Sequence, residues 1–359
     1  MLLNAASFIF VLGVLIFIHE LGHFLVAKKV GIKVEKFSLG FPPHIFRKTV
    51  GDTTYCVGVV PLGGYVKMAG ENPDEHVTGA PGEFMSKTVG QRMAVILAGP
   101  FMNYLLSILL LIGILFIGGR AIFDPERIAV QAINSGSPAE RAGLLPADEI
   151  IAVDGIRVSR SDSLSALIHA YIEKPLNLTW VRGNDTLTEI ITTMKGVVPR
   201  PDGSTSDTVG LIGVQLSQKI IGYERIGVWE SMRDGFTTAH VIVWETVKFI
   251  HKYITGQVSS KMVGGPLFIA QQSGKEARKG AANLFFFMAL LSVNLAVLNV
   301  LPIPVLDGGH LVFLTIEKLR GAPLSMKVRI AAQQVGMLVL LGLIVFVTYN
   351  DILRVIRGS

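Results

Sequence analysis

The chain has 359 residues, a formal net charge of +6, 50% hydrophobic residues and only 17% charged ones, where soluble domains carry about 25% charge. With a mean hydropathy of +0.52, this composition excludes a disordered chain, a collagen-like chain and an ordinary cytosolic enzyme, and describes a membrane protein with a soluble part. The single cysteine, Cys56, excludes an intramolecular disulfide framework and a cysteine-rich zinc cluster; so modest a positive balance beside apolar runs speaks for membrane orientation and against nucleic acid.

The first apolar run covers residues 2–27, long enough for a spanning helix of about 20 residues. A cleaved signal peptide is the alternative, but no basic residue precedes the run, and it passes into His19-Glu20 before any small-residue cleavage site. Lys28, Lys29, Lys33 and Lys36 follow at once and place this end in the cytoplasm. A second run, 93–118 behind Gln91 and Arg92, returns outward. A third, 284–300, re-enters, and a fourth, 335–348 behind Lys327 and Arg329, exits. Four spans with both termini outside are expected; Arg354 and Arg357 oppose that orientation.

Between the first two spans, Gly51-Asp52 is a turn signal, residues 53–60 are strand-like, and residues 63–68 form a second candidate strand. Residues 121–215 read as an outward-facing α+β insert, with strands near 128–130, 149–153 and 176–180. A helix is expected over 161–171, capped by Ser159 or Ser161, and a Pro- and Gly-rich loop over 196–208. From 229 to 254 apolar positions recur at helical spacing but are interrupted by Arg233, Asp234, Glu245, Lys248 and Lys252. That pattern predicts an interfacial helix, or else one packed on the insert.

The chemistry begins inside the first span. His19-Glu20-Leu21-Gly22-His23 is H-E-x-x-H. On a helix, residues i and i+4 share a face, so both imidazoles reach one metal ion, with Glu20 beside it as general base. Three polar groups at membrane depth are costly unless ligated. A catalytic zinc site takes three protein ligands and keeps one position open. The next helical turn offers Ala27, and no histidine follows at metzincin spacing. The best remote candidate is Asp307, in Asn299-Val300-Leu301-Pro302-Ile303-Pro304-Val305-Leu306-Asp307-Gly308-Gly309-His310; His310 is a rival ranked below it. Pro302 and Pro304 break the helix, and Gly308 and Gly309 permit close backbone approach. Broken backbone at that depth has to line a cavity or be buried in protein.

These motifs carry a resemblance. H-E-x-x-H in the first span and Asn299-x-x-Pro-x-Pro-x-Leu-Asp-Gly ending at Gly308 resemble the site-2 protease family, more narrowly the bacterial regulator-of-sigma-E type. Gly99-Pro100-x-x-Asn103 in the second span, Pro61-Leu62-Gly63-Gly64-Tyr65-Val66-Lys67-Met68 and Gly265-Pro266-Leu267 match further family elements in the same order. The resemblance implies that His19, His23 and Asp307 bind Zn2+ and that Glu20 is the catalytic carboxylate. Gly136-Ser137-Pro138 through Leu144 and Asp148 through Gly155 resemble a bacterial PDZ domain, with Ala147 where glycine is usual; such a domain adds a peptide to a sheet edge.

The expected fold is a polytopic α-helical membrane protein with about four transmembrane helices, a membrane-associated β-loop and one inserted PDZ-like domain. Its layout is a membrane core over 1–120, the insert over 121–215, an interfacial region over 216–280 and a second membrane core over 281–359. The expected function is intramembrane zinc endopeptidase, in the bacterial inner membrane, with the insert periplasmic and the site toward the cytoplasm. Its partners would be single-span substrates such as an anti-sigma factor or remnant signal peptides, a peptide on the PDZ-like domain, and lipid. A substrate helix must unwind before attack, because its carbonyls are engaged. Gly63, Gly64 and Tyr65 would pair with the extended segment, while Asn299 and Asn103 would hold its backbone or else act as local caps. The alternatives are a membrane scaffold with a structural zinc site, in which Glu20 would have no use, and a membrane-anchored peptidase of soluble chains.

Overall fold

The structure, a computed structural model, describes residues 2–71, 78–134, 136–199, 206–257 and 263–357. In chain order the elements are α1 (Leu2–Lys29), β1 (Val34–Val50), β2 (Thr53–Met68), α2 (Val89–Gly118), β3 (Arg120–Ile133), α3 (Pro138–Arg141), β4 (Glu149–Val153), β5 (Ile156–Arg157), α4 (Ser161–Ala170) and β6 (Pro175–Arg182). There follow β7 (Asp185–Thr192), β8 (Met194–Pro199), β9 (Ser206–Leu211), β10 (Val214–Glu224), α5 (Val228–Ile254), α6 (Pro266–Lys279), α7 (Ala281–Val300), α8 (Asp307–Arg320) and α9 (Met326–Arg357). Two compact units separate: one from Met1–Ile117, Gly227–His251 and Val263–Tyr349, the other chiefly Gly118–Ile226.

In the first unit, α1, α2, α7 and α9 are long and apolar enough to cross a membrane. α1 and α2 approach closely because residue 22 has no side chain: a Cβ there would overlap Ala98 O and stand 2.8 Å from Met102 Cγ. Small residues at such a crossing let two backbones meet. Ser292 Oγ of α7 donates to Asn103 O of α2 (2.7 Å). α5 was expected at an interface or on the insert; it packs instead along α2 and α7. Gly235 leaves no room for a Cβ against Ile112, whose backbone N would be 2.9 Å away; Ala239 is fully buried with Leu111 and Ala289; and Thr246 Oγ1 donates to Asn294 Oδ1 (2.8 Å). Its small residues make a face that the charged positions hide in a linear reading.

β1 and β2 form one antiparallel sheet that doubles on itself. Phe37, Ser38 and Leu39 pair on one side with Tyr55, Cys56 and Val57, and on the other with Val66, Tyr65 and Gly64. Phe37 is buried between Phe24 of α1 (ring centroids 5.3 Å apart) and Tyr55 (6.1 Å). The two strands read from the sequence are thus parts of one continuous β2, and β1 is an addition that Pro42-Pro43 conceals.

The second unit is a mixed α+β body. Its sheet runs β10-β3-β4-β6-β7, with β5 on β4, and β8 pairs separately with β9. Ile128, Ile150, Leu164, Leu176, Leu178, Trp180 and Ile191 fill its core. Three expectations change. α4 begins at Ser161, but its N-cap is Arg160, with no side-chain bond. The loop expected over 196–208 is largely hairpin, since Pro199 pairs with Ser206 at the ladder's end, where a missing N–H costs little; residues 200–205 lie outside the described residues. The boundary expected at 215 falls inside β10, which continues to Glu224 opposite Arg120 of β3.

An ion pair between a buried carboxylate and a part-exposed guanidinium ties this unit together. Arg182 reaches Asp148 through Nε–Oδ1 (2.7 Å) and Nη2–Oδ2 (2.6 Å), and Leu145 N donates to Oδ2 (2.7 Å). Burial pushes the Asp148 carboxyl up, but the guanidinium and the amide outweigh it and hold it below its ordinary value. A carboxylate whose folded pKa is depressed contributes stability above its unfolded pKa of about 3.9, and that contribution is lost as pH falls through the folded value. The thermal midpoint of the insert, followed through Trp180 fluorescence, should therefore drop below about pH 4. Asp148→Asn should lower the midpoint at neutral pH and flatten that acid limb; an unchanged limb would remove Asp148 as its origin.

Candidate metal centre and active site

His19 and His23 lie one turn apart on α1, at 9% and 7% exposure. Their Nε2 atoms are 3.2 Å apart. Asp307, the first residue of α8, places Oδ2 3.2 Å from His19 Nε2 and 3.7 Å from His23 Nε2. All three donor atoms lie within 4.8 Å of one another, although Asp307 is far along the chain.

Local sequence explains the convergence. Pro302 and Pro304 end α7 and turn the chain, and Leu306 caps α8. A Cβ at Gly308 would overlap Leu301 O and Val300 O, and one at Gly309 would overlap Ile303 O, so only glycine lets α8 start against this loop. α8 is tied to α2 by a buried pair: Arg92 Nη2 to Glu317 Oε1 (2.5 Å) and Nη1 to Oε2 (3.2 Å). From the linear chain Arg92 reads only as a cation flanking a span; no local signal announces a partner so far away. On α2, Gly99 faces the two imidazoles. A Cβ there would overlap His23 Nε2 and stand 2.8 Å from His19 Cε1.

The donor set fits a divalent metal. His23 Nδ1 is 2.8 Å from Val95 O; a carbonyl can only accept, so Nδ1 carries the proton and Nε2 is bare. Asp307 Oδ2 is buried without a hydrogen bond, although His19 Nε2 is 3.2 Å away. A buried carboxylate oxygen left so is expensive unless a cation takes it up. Two imidazole nitrogens and one carboxylate oxygen are the ligands of catalytic zinc with a position to spare.

Other expected residues fall as follows. Glu20 is half-buried beside His19; a Cβ on Gly64 would lie 3.0 Å from Glu20 Cγ and 2.9 Å from Ile16 Cγ2, so β2 runs against the carboxylate side chain. The stretch 64–66 pairs with 37–39 on one side and has no strand neighbour on the other among the described residues. Phe41 fills the space over Gly63, and Tyr65 Oη is 3.4 Å from His44 Nε2. Asn299 is half-buried in the last turn of α7. Asn103 is at 0% exposure, and its Nδ2 lies 3.2 Å from His19 Nδ1. His310 is not part of the donor group; it lines a small pocket with Phe84, Arg92 and Glu317.

A buried His-His-Asp group with an adjacent glutamate, its histidines on a helix long and apolar enough to cross a membrane, fits a metalloprotease centre. The profile of Peptidase family M50 matches residues 7–343. A Rhizobium meliloti protein bearing a zinc metalloprotease name is 35% identical, over 96% of this chain and 95% of its own. One from Clostridium perfringens, similarly named, is 36% identical over 94% and 95%. Zinc metalloprotease RasP of Geobacillus kaustophilus is 30% identical over 96% and 97%. The chain belongs to peptidase family M50, the site-2 proteases, and is a zinc metalloprotease. Among solved structures, the PDZ domain of the SdrC-like protein from Listeria monocytogenes matches 26% of this chain and 92% of its own, at 18% identity and a TM-score of 0.21; so low a score carries no argument about the insert.

Proposed function

We propose that this metalloprotease cuts its substrates inside the bilayer, with His19, His23 and Asp307 holding zinc and Glu20 moving the proton. The observation that carries the reading is depth. His19 lies nine residues before Lys28 on an apolar helix, about 14 Å from that cationic end at 1.5 Å per residue, roughly half of a 30 Å hydrocarbon core. A centre placed there meets transmembrane segments.

Zinc, when bound, acidifies water and draws charge from a carbonyl oxygen. The rest falls to the chain. Glu20 takes a proton on the attacking side and returns it to the leaving amine. The open side of 64–66, lying against Glu20, receives the unwound substrate as an added strand, and Asn299 stands at the exit of α7 to hold its backbone. The substrate class is single-span membrane proteins, among them anti-sigma factors and remnant signal peptides. The insert is a PDZ-like domain that recruits or gates a peptide on the periplasmic side of the bacterial inner membrane, with the metal centre toward the cytoplasm.

The test offers purified, zinc-loaded protein a single-span model substrate and an unfolded soluble chain such as casein. Cleavage within the span, with casein spared, is expected. Comparable turnover of casein would make it a membrane-anchored peptidase of soluble chains. Cutting of neither substrate, with zinc bound, would defeat the reading.

A further inference from the structure

We propose that Asn103 is a positioning residue: its carboxamide oxygen accepts the Nδ1–H of His19 and so presents the bare Nε2 of that ring to the metal. The proposal rests on the reading of His19, His23 and Asp307 as ligands.

Both histidines lean on one stripe of α2. Val95, Gly99 and Asn103 recur every four residues and share a face. Val95 O takes the Nδ1–H of His23 (2.8 Å), Gly99 leaves room for the two rings, and Asn103 meets His19 Nδ1 (3.2 Å). Asn103 is wholly buried, and its backbone carbonyl is engaged by Ser292 of α7, so the residue is held between α1 and α7.

The ligand role of His19 then decides its orientation. With Nδ2 toward the ring, Asn103 Oδ1 is buried without a partner. The same orientation requires His19 Nδ1 to accept, which puts the ring proton on Nε2, 3.2 Å from both His23 Nε2 and Asp307 Oδ2. A protonated Nε2 cannot ligate. The carboxamide is nearly symmetric in shape, so a half-turn exchanges oxygen and nitrogen within the same volume. That one turn gives Oδ1 the Nδ1–H and frees Nε2, and it sets Nδ2 where Oδ1 stood. His23 obtains this from a backbone carbonyl; His19 needs a side chain to do it. A partner on the far nitrogen of a ligating histidine fixes its tautomer and raises its basicity.

The test reads zinc binding, not turnover, in the full chain in detergent, by competition of zinc against a chromogenic chelator. Asn103→Leu, of similar volume but without an acceptor, should bind zinc 10- to 100-fold more weakly, and Asn103→Asp, whose carboxylate only accepts, should stay within about threefold of the parent. Parental zinc affinity in Asn103→Leu overturns the proposal, and so does an equal loss in a folded Asn103→Asp. If the leucine variant does not fold, nitrogen-15 histidine spectra of the zinc-loaded parent decide: a proton on His19 Nδ1 is expected, and a bare Nδ1 overturns the proposal. His19→Ala separates the two readings. If it holds zinc as the parent does, the ligand assignment has failed rather than the role of Asn103.

Discussion

Glu20→Gln should keep the metal and lose the reaction. Glutamine matches glutamate in volume, so the contact with Gly64, 3.0 Å from Glu20 Cγ to a Cβ placed there, survives unchanged, and none of the three donors is altered. What disappears is the proton acceptor. General acid–base groups contribute typically 10²- to 10⁴-fold, which corresponds to about 3–5 kcal/mol of barrier at 1.36 kcal/mol per decade. Zinc stoichiometry equal to the parent, with single-span substrate cleavage reduced by at least 10²-fold, is the expected pair of results. His19→Ala should do the opposite and lose the metal first. Cleavage by Glu20→Gln at the parental rate would remove Glu20 from the chemistry, and zinc loss in that variant would make it a ligand.

Gly99→Ala should be nearly as damaging, although it adds only a methyl group. In an ordinary helix interior alanine is more favourable than glycine by about 1 kcal/mol, but Pro100 follows inside α2 and its ring crowds a Cβ on the residue before it, so α2 itself gains nothing. The methyl, however, would overlap His23 Nε2 and stand 2.7 Å from His23 Cε1 and 2.8 Å from His19 Cε1. Neither ring can swing away freely, because Val95 O holds His23 Nδ1 and Asn103 holds His19 Nδ1. A displacement of about 1 Å in a catalytic constellation costs on the order of 10²-fold. Unchanged helix content by circular dichroism, with zinc lost or weakened by about that factor, is the expected outcome. A Gly99→Ala protein that binds zinc and cuts like the parent would show that the rings have slack the packing does not indicate.

The parts of the site legible in the sequence are those whose spacing is local. His19 and His23 are four residues apart, and any helix would set them side by side. Asp307 was legible because two prolines and two glycines mark broken backbone beside an acid, and the structure does bring its carboxylate to both imidazoles. The contacts that hold these groups in place were not legible, because each joins segments whose proximity only the fold creates. Arg92 read only as a cation flanking the second apolar run, and nothing in the linear chain linked it to Glu317. Asn103 read as a holder of substrate backbone or a local cap, and nothing in the linear chain set it beside His19. α5 read as too polar for the apolar bundle, since charges are conspicuous in a sequence, whereas the absence of side-chain volume at Gly235 and Ala239 is not. In the insert, the core strands announced themselves by apolar content, but β8 and β9 were hidden by proline and glycine at the ends of their ladder.

The wide separation of Asp307 from the histidine pair also sets a timetable. His19, Glu20 and His23 leave the ribosome before the third donor, which follows only after α2, the whole insert and α7. At about 5–20 residues per second, the interval between His23 and Asp307 is roughly 15–60 s. During that time the nascent chain holds the two imidazoles and Glu20 without the Asp307 carboxylate. On the proposed ligand reading, a chain that stops before Asp307 lacks the third donor and should neither hold zinc nor cleave.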